Sequence, residues 1–416
     1  MTLIRTSFLT ALSTIIRILT SFVINKIIAV YIGPSGLAII GQFQNFSNIV
    51  ITFSNAGITA GIVKYTAEYH DDLIRKNRFL STALLVSVVC AFAVAIILML
   101  LSEILSLLLL NTDEYSKIFF IFGVMLIFIS LNTFLISILN GNKEIAKYVA
   151  VNILTSLIGL ALTSILVIKF RVYGALLSLT ILQCLVFLVT IFIVIKSNWF
   201  RMSDYFKGYD HDSFVKLIKY SLMTLTSIVA VSVSLILVRN YITSHISSDA
   251  AGYWQGVSKI SEIYLMLVTT SLSVYYLPKL SETKGFKILR EEILNGYKII
   301  LPIVSITAVC IYALRDNIIN ILFTDSFLEM SGLFAFQLIG DFLKIASWLL
   351  GYIMIAKAMT YSFIITEVLF SVSFVLFSIY FINQFGLKGV TYAYALNYML
   401  YLLTMSWLFR RVIKMR

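Results

Sequence analysis

Apolar residues fill this chain in blocks of twenty or more, separated by short polar stretches, from one end to the other. As helices, such blocks are long enough to cross a hydrocarbon core about 30 Å thick. Twelve can be read, at residues 8–31, 37–62, 80–110, 117–140, 148–168, 172–195, 214–238, 253–278, 293–314, 332–356, 361–383 and 388–409. Only short connections remain, which leaves no room for a sizeable soluble domain. The expected fold is all-α and polytopic, with about 12 transmembrane helices, because a helix satisfies its own backbone hydrogen bonds in lipid. The first block has no small-residue cleavage site and carries recurring polar residues, so it reads as a retained helix rather than a signal peptide.

The polar positions inside these blocks fall on helical faces. Helix two places Asn45, Asn48, Thr52, Asn55 and Thr59 within an arc of about 80°, with Gln42 just outside it. Helix one gathers Thr6, Thr10, Thr14, Arg17, Ser21 and Asn25 within about 100°. Helix eight aligns Gln255, Ser258, Glu262, Thr269 and Ser273, with Lys259 at the edge of that face. Helix ten aligns Gln337, Asp341, Lys344 and Trp348, and helix eleven Thr360, Glu367, Ser371 and Ser378. Small polar residues also let membrane helices pack closely, which accounts for helices five and eleven apart from Glu367. Four carboxamides along helix two are more polarity than packing needs. Helices one, two, eight and ten together point to a water-filled cleft.

Composition agrees: 60% of the 416 residues are hydrophobic and 12% charged, with a mean hydropathy of +0.96, against about 25% charged for a soluble domain. The net charge of +12 follows topology rather than nucleic acid. With the lysines near the block starts counted with the adjoining loops, 22 Lys and Arg lie on the N-terminal side of the membrane and 6 on the opposite side. The positive-inside rule therefore predicts both termini in the cytoplasm, with Arg410, Arg411, Lys414 and Arg416 as a basic tail.

Seven of the charges inside the blocks need an account: Arg17, Lys26, Lys259, Glu262, Asp341, Lys344 and Glu367. Each costs roughly 2.5–3.5 kcal/mol at the bilayer centre, so each must be wet or paired. Lys26 is close enough to its helix end to snorkel to the interface. Lys259 with Glu262, and Asp341 with Lys344, have the i,i+3 spacing of mutually neutralising pairs, structural or functional. Helix one holds no Asp or Glu, which makes Arg17 the foremost candidate for a substrate anion; its planar guanidinium suits phosphate.

The chain is also duplicated. Phe170–Gly174 returns as Phe385–Gly389 at an offset of 215, Gly36 returns as Gly252 at 216, and Lys64 as Lys279 at 215. Asn152, Ser156 and Thr163 match Glu367, Ser371 and Ser378 at 215 each. Six helices per copy is an even number, so the copies are parallel repeats: a lobe over residues 1–200 and a second over 201–416, with a binding site expected between them.

The remaining motifs are weak. Glu68-Tyr69-His70-Asp71-Asp72 and Asp210-His211-Asp212 fall in expected cytoplasmic loops, the second where Asp212 or Ser213 would cap helix seven. Cys90, Cys184 and Cys310 sit in three different helices without His companions, which suggests neither a disulfide framework nor a zinc site. No phosphate-binding glycine loop, nucleophile elbow or metal-ligand cluster occurs, so neither metal nor cofactor is expected. A membrane-embedded glycan polymerase or transferase would usually need a larger catalytic loop than the roughly 15–20 residues available.

Several blocks resemble the Wzx flippases, especially those of the enterobacterial common antigen (lipid III) type. They are Gly33-Pro34-Ser35-Gly36-Leu37, Lys64 to Asp71, Trp254-Gln255-Gly256-Val257-Ser258, Ser273 to Pro278, Phe336 to Lys344 and Gly351 to Ala358. The resemblance covers essentially the whole length. It implies the MOP superfamily fold, two six-helix lobes around a central hydrophilic cavity that opens alternately to each side. It also implies an undecaprenyl-diphosphate-linked oligosaccharide as substrate, either lipid III or an O-antigen repeat unit for lipopolysaccharide. The substrate would cross to the periplasmic leaflet of the bacterial cytoplasmic membrane beside other assembly proteins, such as a polymerase and a chain-length regulator. Related multidrug exporters often carry an acid on helix one, where this chain has Arg17; a cation or drug exporter is the alternative.

In that setting Arg17, Lys259 and Lys344 are expected to compensate the diphosphate. Gln42, Asn45, Asn48, Asn55, Gln255 and Gln337 would meet sugar hydroxyls, and Trp254 or Trp348 would stack on a sugar ring. Glu262, Asp341 and Glu367 would compete for the cations or bind protons, coupling transport to the proton-motive force.

Overall fold

A computed structural model describes residues 3–283, 285–357 and 359–410. Ala358 and the tail residues Arg411, Lys414 and Arg416 lie outside them. In chain order the helices are α1 (Leu3–Tyr31), α2 (Gly33–Ser54), α3 (Thr59–Glu68), α4 (Leu73–Leu100), α5 (Ser102–Leu110), α6 (Ser116–Gly141) and α7 (Ile145–Ile195). They continue with α8 (His211–His245), α9 (Ser248–Ser271), α10 (Leu277–Glu282), α11 (Phe286–Leu322), α12 (Phe334–Ala356), α13 (Thr360–Phe385) and α14 (Lys388–Leu408). Short 3-10 segments occupy Met202–Tyr205 and Asp325–Leu333, and a π-helical turn, Leu272–Tyr276, joins α9 to α10.

Among the described residues eight helices are long and apolar enough to cross a membrane, or nine when α2 and α3, bent by 46°, count as one span. The twelve blocks are recovered once α7 is divided and the more polar α9 and tyrosine-rich α14 are included. A straight helix of 51 residues would be about 76 Å long, far more than a bilayer needs. Instead α7 breaks at Arg171 (φ 52°, ψ −128°) and doubles back. Thr163 and Ser178 consequently hydrogen-bond through their hydroxyls at 3.2 Å, where a straight helix would hold them about 22 Å apart.

Local chemistry places the helix ends. Asp72 accepts from Arg75 N–H at the start of α4, and Ser247 from Ala250 N–H at the start of α9. At α8 the capping residue is Asp210, which accepts from the amide and hydroxyl of Ser213; Asp212 and Ser213 lie inside the helix. The helix starts at His211, three residues before the apolar block at 214, because the polar first turn belongs to it. The Ser213 hydroxyl and amide hold the Asp210 carboxyl below the usual carboxylate range.

The chain divides into two compact units: α1 with Ile39–Ser232, and Ile32–Ala38 with the chain from Val233 onward. The core of the first includes Ile58, Ile62, Tyr65, Phe79, Phe134, Ile138, Val186 and Tyr205. A second cluster in this unit joins Phe43 of α2 to Phe119 and Phe122 of α6, ring against ring. In the second unit Val238, Ile242, Trp254, Phe374, Ile382 and Val390 pack together with Ala38. The first turn of α2 docks on α9 there: Asp249 accepts the Ser35 amide at 3.1 Å. Any Cβ on Gly252 would lie 1.9 Å from the Pro34 carbonyl oxygen, so only glycine permits that approach.

The duplication is visible in the backbone. Arg171 and Gly386, at the 215-residue offset, both take a positive φ, 52° and 61°. Three residues on, a Cβ at Gly174 would lie 1.9 Å from Leu166 O, and one at Gly389 would lie 2.1 Å from Phe381 O. The two limbs of α7 in the first unit, and α13 and α14 in the second, therefore turn through the same reversal.

Candidate functional site

The i,i+4 and i,i+3 spacing of Gln337, Asp341, Lys344 and Trp348 puts all four along one side of α12. On α9, Ser261 and Tyr264 share a face; on α14, Tyr394 and Tyr398 do. These faces meet around Asp341, which is fully buried. Its Oδ2 accepts the Ser261 hydroxyl at 2.6 Å and the Tyr264 hydroxyl at 2.9 Å. Its Oδ1 accepts the Tyr394 hydroxyl at 3.0 Å and the Gln337 amide at 3.4 Å. Three hydroxyl donors and an amide offset much of the cost of taking a carboxylate out of water.

The expected Asp341–Lys344 contact is not made. Among the described residues the two form no direct ion pair. The lone pairs of Asp341 are taken by hydroxyls, and the Lys344 ammonium instead lies over aromatic rings: Trp348 at 4.9 Å, Tyr398 at 5.6 Å and Tyr394 at 6.0 Å from the centroids. The other spaced pair does form, Lys259 Nζ to Glu262 Oε2 at 3.0 Å, with the Glu262 side chain 61% exposed. Glu367 is half-buried on α13, and its charge acts on Tyr398, Tyr401 and Lys344.

One charge escaped the sequence reading. Arg239 falls one residue beyond the expected end of helix seven, but α8 runs on to His245 and carries it inside. It is 4% exposed, its Nη2 donates to Gln255 Oε1, its guanidinium lies 5.5 Å from the Trp254 ring, and the Glu262 charge acts on it. Trp254 and Gln255 are consequently buried and engaged by Arg239. A capless apolar run continuing past 239 to Tyr241 and Ile242 was the available signal.

The first unit is built differently. Arg17 is exposed on α1 and Lys26 half-buried. The amide face of α2 divides in two. Gln42 (2% exposed) and Asn55 (4%) are buried, and Asn55 receives the Ser130 hydroxyl at 2.9 Å while donating to Ile51 O. Asn45 is half-buried and Asn48 exposed, so these two remain open. No Asp or Glu occurs in α1, α2 or α6. In the second unit Lys259, Lys344 and Arg239 are matched by Glu262, Asp341 and Glu367. Among the described residues no group of three His, Cys, Asp or Glu is placed to hold a metal ion.

This fold is shared with solved transporters of the MOP superfamily. An inward-facing multidrug resistance MATE family transporter superposes with a TM-score of 0.79 at 14% identity, covering 96% of this chain and 99% of that one. Lipid II flippase MurJ, in an inward closed conformation, gives 0.75 at 18% identity over 98% and 87% of the respective chains. At such identities the likeness is one of fold. Sequence is more specific: residues 3–284 match the polysaccharide biosynthesis protein family. The lipid III flippases of Escherichia coli (strain K12) and Shigella flexneri are each 30% identical over 401 residues, 96% of this chain and 96% of theirs. The chain is thus a multi-pass membrane protein of the MOP transporter fold. It belongs to the polysaccharide biosynthesis protein family.

Proposed function

We propose that this protein is a flippase for a lipid-linked oligosaccharide, moving the polar headgroup across the membrane while the prenyl tail stays in lipid. The observation that carries this reading is the end-to-end match, at 30% identity, with the lipid III flippases. The chemistry of the two units supports it. Sugars and a diphosphate need hydrogen-bonding groups and positive charge along their route. The spanning charges of the second unit balance among themselves, and the acid-free helices of the first unit carry Arg17.

The substrate class is an undecaprenyl-diphosphate-linked glycan, lipid III or an O-antigen unit. Arg17 meets its diphosphate, with Lys259 and Lys344 as further cations. Asn45, Asn48 and Trp348, the more open members of the polar set, contact sugar first; Gln42, Asn55, Trp254, Gln255 and Gln337 need rearrangement before they can do so. Glu262, Asp341 and Glu367 bias the cycle, with protons as the coupling ion. The protein works in the cytoplasmic membrane with both termini inside, near the polymerase and chain-length regulator that use its product.

Flipping by protein reconstituted in liposomes tests this. Arg17→Ala should slow transport by about tenfold, the worth of a charge-assisted hydrogen bond, and Arg17→Lys should recover part of it. Undiminished flipping by the Ala variant removes Arg17 from the mechanism. Failure of the wild-type protein to move any lipid-linked glycan overturns the functional reading itself. Asp341→Asn and Glu367→Gln should blunt the response to an imposed proton gradient, and an unchanged response assigns those carboxylates to structure.

A further inference from the structure

The surroundings of Lys344 are those of a ligand rather than of an ion-paired lysine. Its ammonium lies within about 6 Å of three ring centroids, the range over which an aromatic face attracts a cation. Trp348 stands one turn further along α12, and Tyr394 and Tyr398 stand one turn apart on α14 with their rings nearly perpendicular, at 73° and 4.9 Å. The Tyr394 hydroxyl donates to buried Asp341 at 3.0 Å, which fixes that ring and places a carboxylate behind it. Glu262 and Glu367 add further negative charge acting on the same ammonium. Two tyrosines and a tryptophan around a positive charge, backed by carboxylates, form the arrangement that binds quaternary ammonium groups.

We propose that Lys344 is the tethered occupant of an organic-cation site, and that it is the residue closing the second unit to quaternary ammonium ligands. Its side chain is half-buried, with its ammonium among the three rings. A lysine held in this way excludes a free cation by occupying the rings and by repelling it. Cutting the side chain back vacates the cage while Trp348, Tyr394, Tyr398 and Asp341 stay in place. This inference does not depend on which glycan, if any, the protein carries.

Tetramethylammonium is the probe, added to the purified full-length protein at constant ionic strength, with binding measured by equilibrium dialysis of the radiolabelled cation. Lys344→Ala and Lys344→Ser should bind it about tenfold or more tightly than the wild-type protein, the worth of one to two desolvated cation–π contacts. Lys344→Arg should remain closed, because a guanidinium refills the cage. Adding Trp348→Ala to Lys344→Ala should abolish the gain. Equal binding by the wild-type and Lys344→Ala proteins overturns the proposal, as does a gain that survives loss of Trp348. If neither small variant folds, acylation of Lys344 by a water-soluble amine reagent decides the matter. Trp348→Ala in the otherwise wild-type chain should speed that reaction about tenfold by releasing the ammonium, and an unchanged rate refutes the cage.

Discussion

At one place in the duplicated fold, α6 of the first unit carries Leu126 and α12 of the second carries Asp341, 215 residues later. Both side chains are fully buried. Leu126 sits one turn beyond Phe122, in a helix whose rings pack on Phe43. Asp341 is enclosed by the hydroxyls of Ser261, Tyr264 and Tyr394. At an offset of 216 the first unit has Asn45 and Asn48 where the second has Ser261 and Tyr264. Likewise the Asn132–Gln183 pair, at 2.8 Å, stands where the second unit has Ser347 and Tyr398. The two copies share the reversal and differ in what these positions bury: amides and aromatic rings in one, a carboxylate held by hydroxyls in the other. A helical reversal can thus be inherited while the chemistry it positions diverges, because a buried charge depends on its immediate donors rather than on the helix that bears it.

Exchanging the two central residues puts the greatest strain on that contrast. Leu126→Asp places a carboxylate at a fully buried position of the first unit, where the Ser130 hydroxyl one turn along is already given to Asn55, and should cost about 4 kcal/mol, enough to lose most monodisperse protein in size-exclusion chromatography. Asp341→Leu should be somewhat milder, about 3 kcal/mol in detergent unfolding, because it orphans three hydroxyls and takes away the carboxylate that acts on Lys344 but leaves no new charge in an apolar place. Equal tolerance of both substitutions would mean that the interiors are interchangeable.

What the units share comes next. Gly174→Ala and Gly389→Ala should each cost about 3 kcal/mol, read as a drop in melting temperature, since each Cβ meets a carbonyl oxygen. A large effect in one unit alone would break the equivalence of the two reversals.

The smallest effects are expected where the reversals diverge. Gly386→Ala should lose about 2 kcal/mol at its positive φ. Arg171→Gly should change stability by less than about 1 kcal/mol. There, relief of the same backbone conformation is offset by loss of the hydrogen bond from Arg171 Nη1 to Tyr31 O, 2.8 Å long. Thermal unfolding of the two variants side by side measures the difference.

The arrangement of helices was legible because lipid imposes it: long apolar blocks, the break required near Arg171, and the repeat offset are one-dimensional features. So was the polar character of α2, α9 and α12, since helical periodicity sorts residues by face. The fate of each polar residue was not legible. Asn48 and Asn55 lie on the same stripe, yet the first is exposed while the second is buried against Ser130. Asp341 and Lys344 have the spacing of a pair, but spacing within one helix says nothing of the Tyr264 and Tyr394 hydroxyls that α9 and α14 bring to the carboxylate, or of the rings that take the ammonium. Arg239 belongs to the membrane-spanning set because α8 continues through it to His245.

The sequence by itself determined a twelve-segment helical membrane protein, duplicated in parallel, with charges that had to be reconciled with lipid. Which charges would be paired, which would be solvated by hydroxyls and which would be stacked on rings was decided only by tertiary structure. Hydropathy and periodicity act along a single helix, whereas the cost of a buried charge is set by donors and rings contributed by its neighbours.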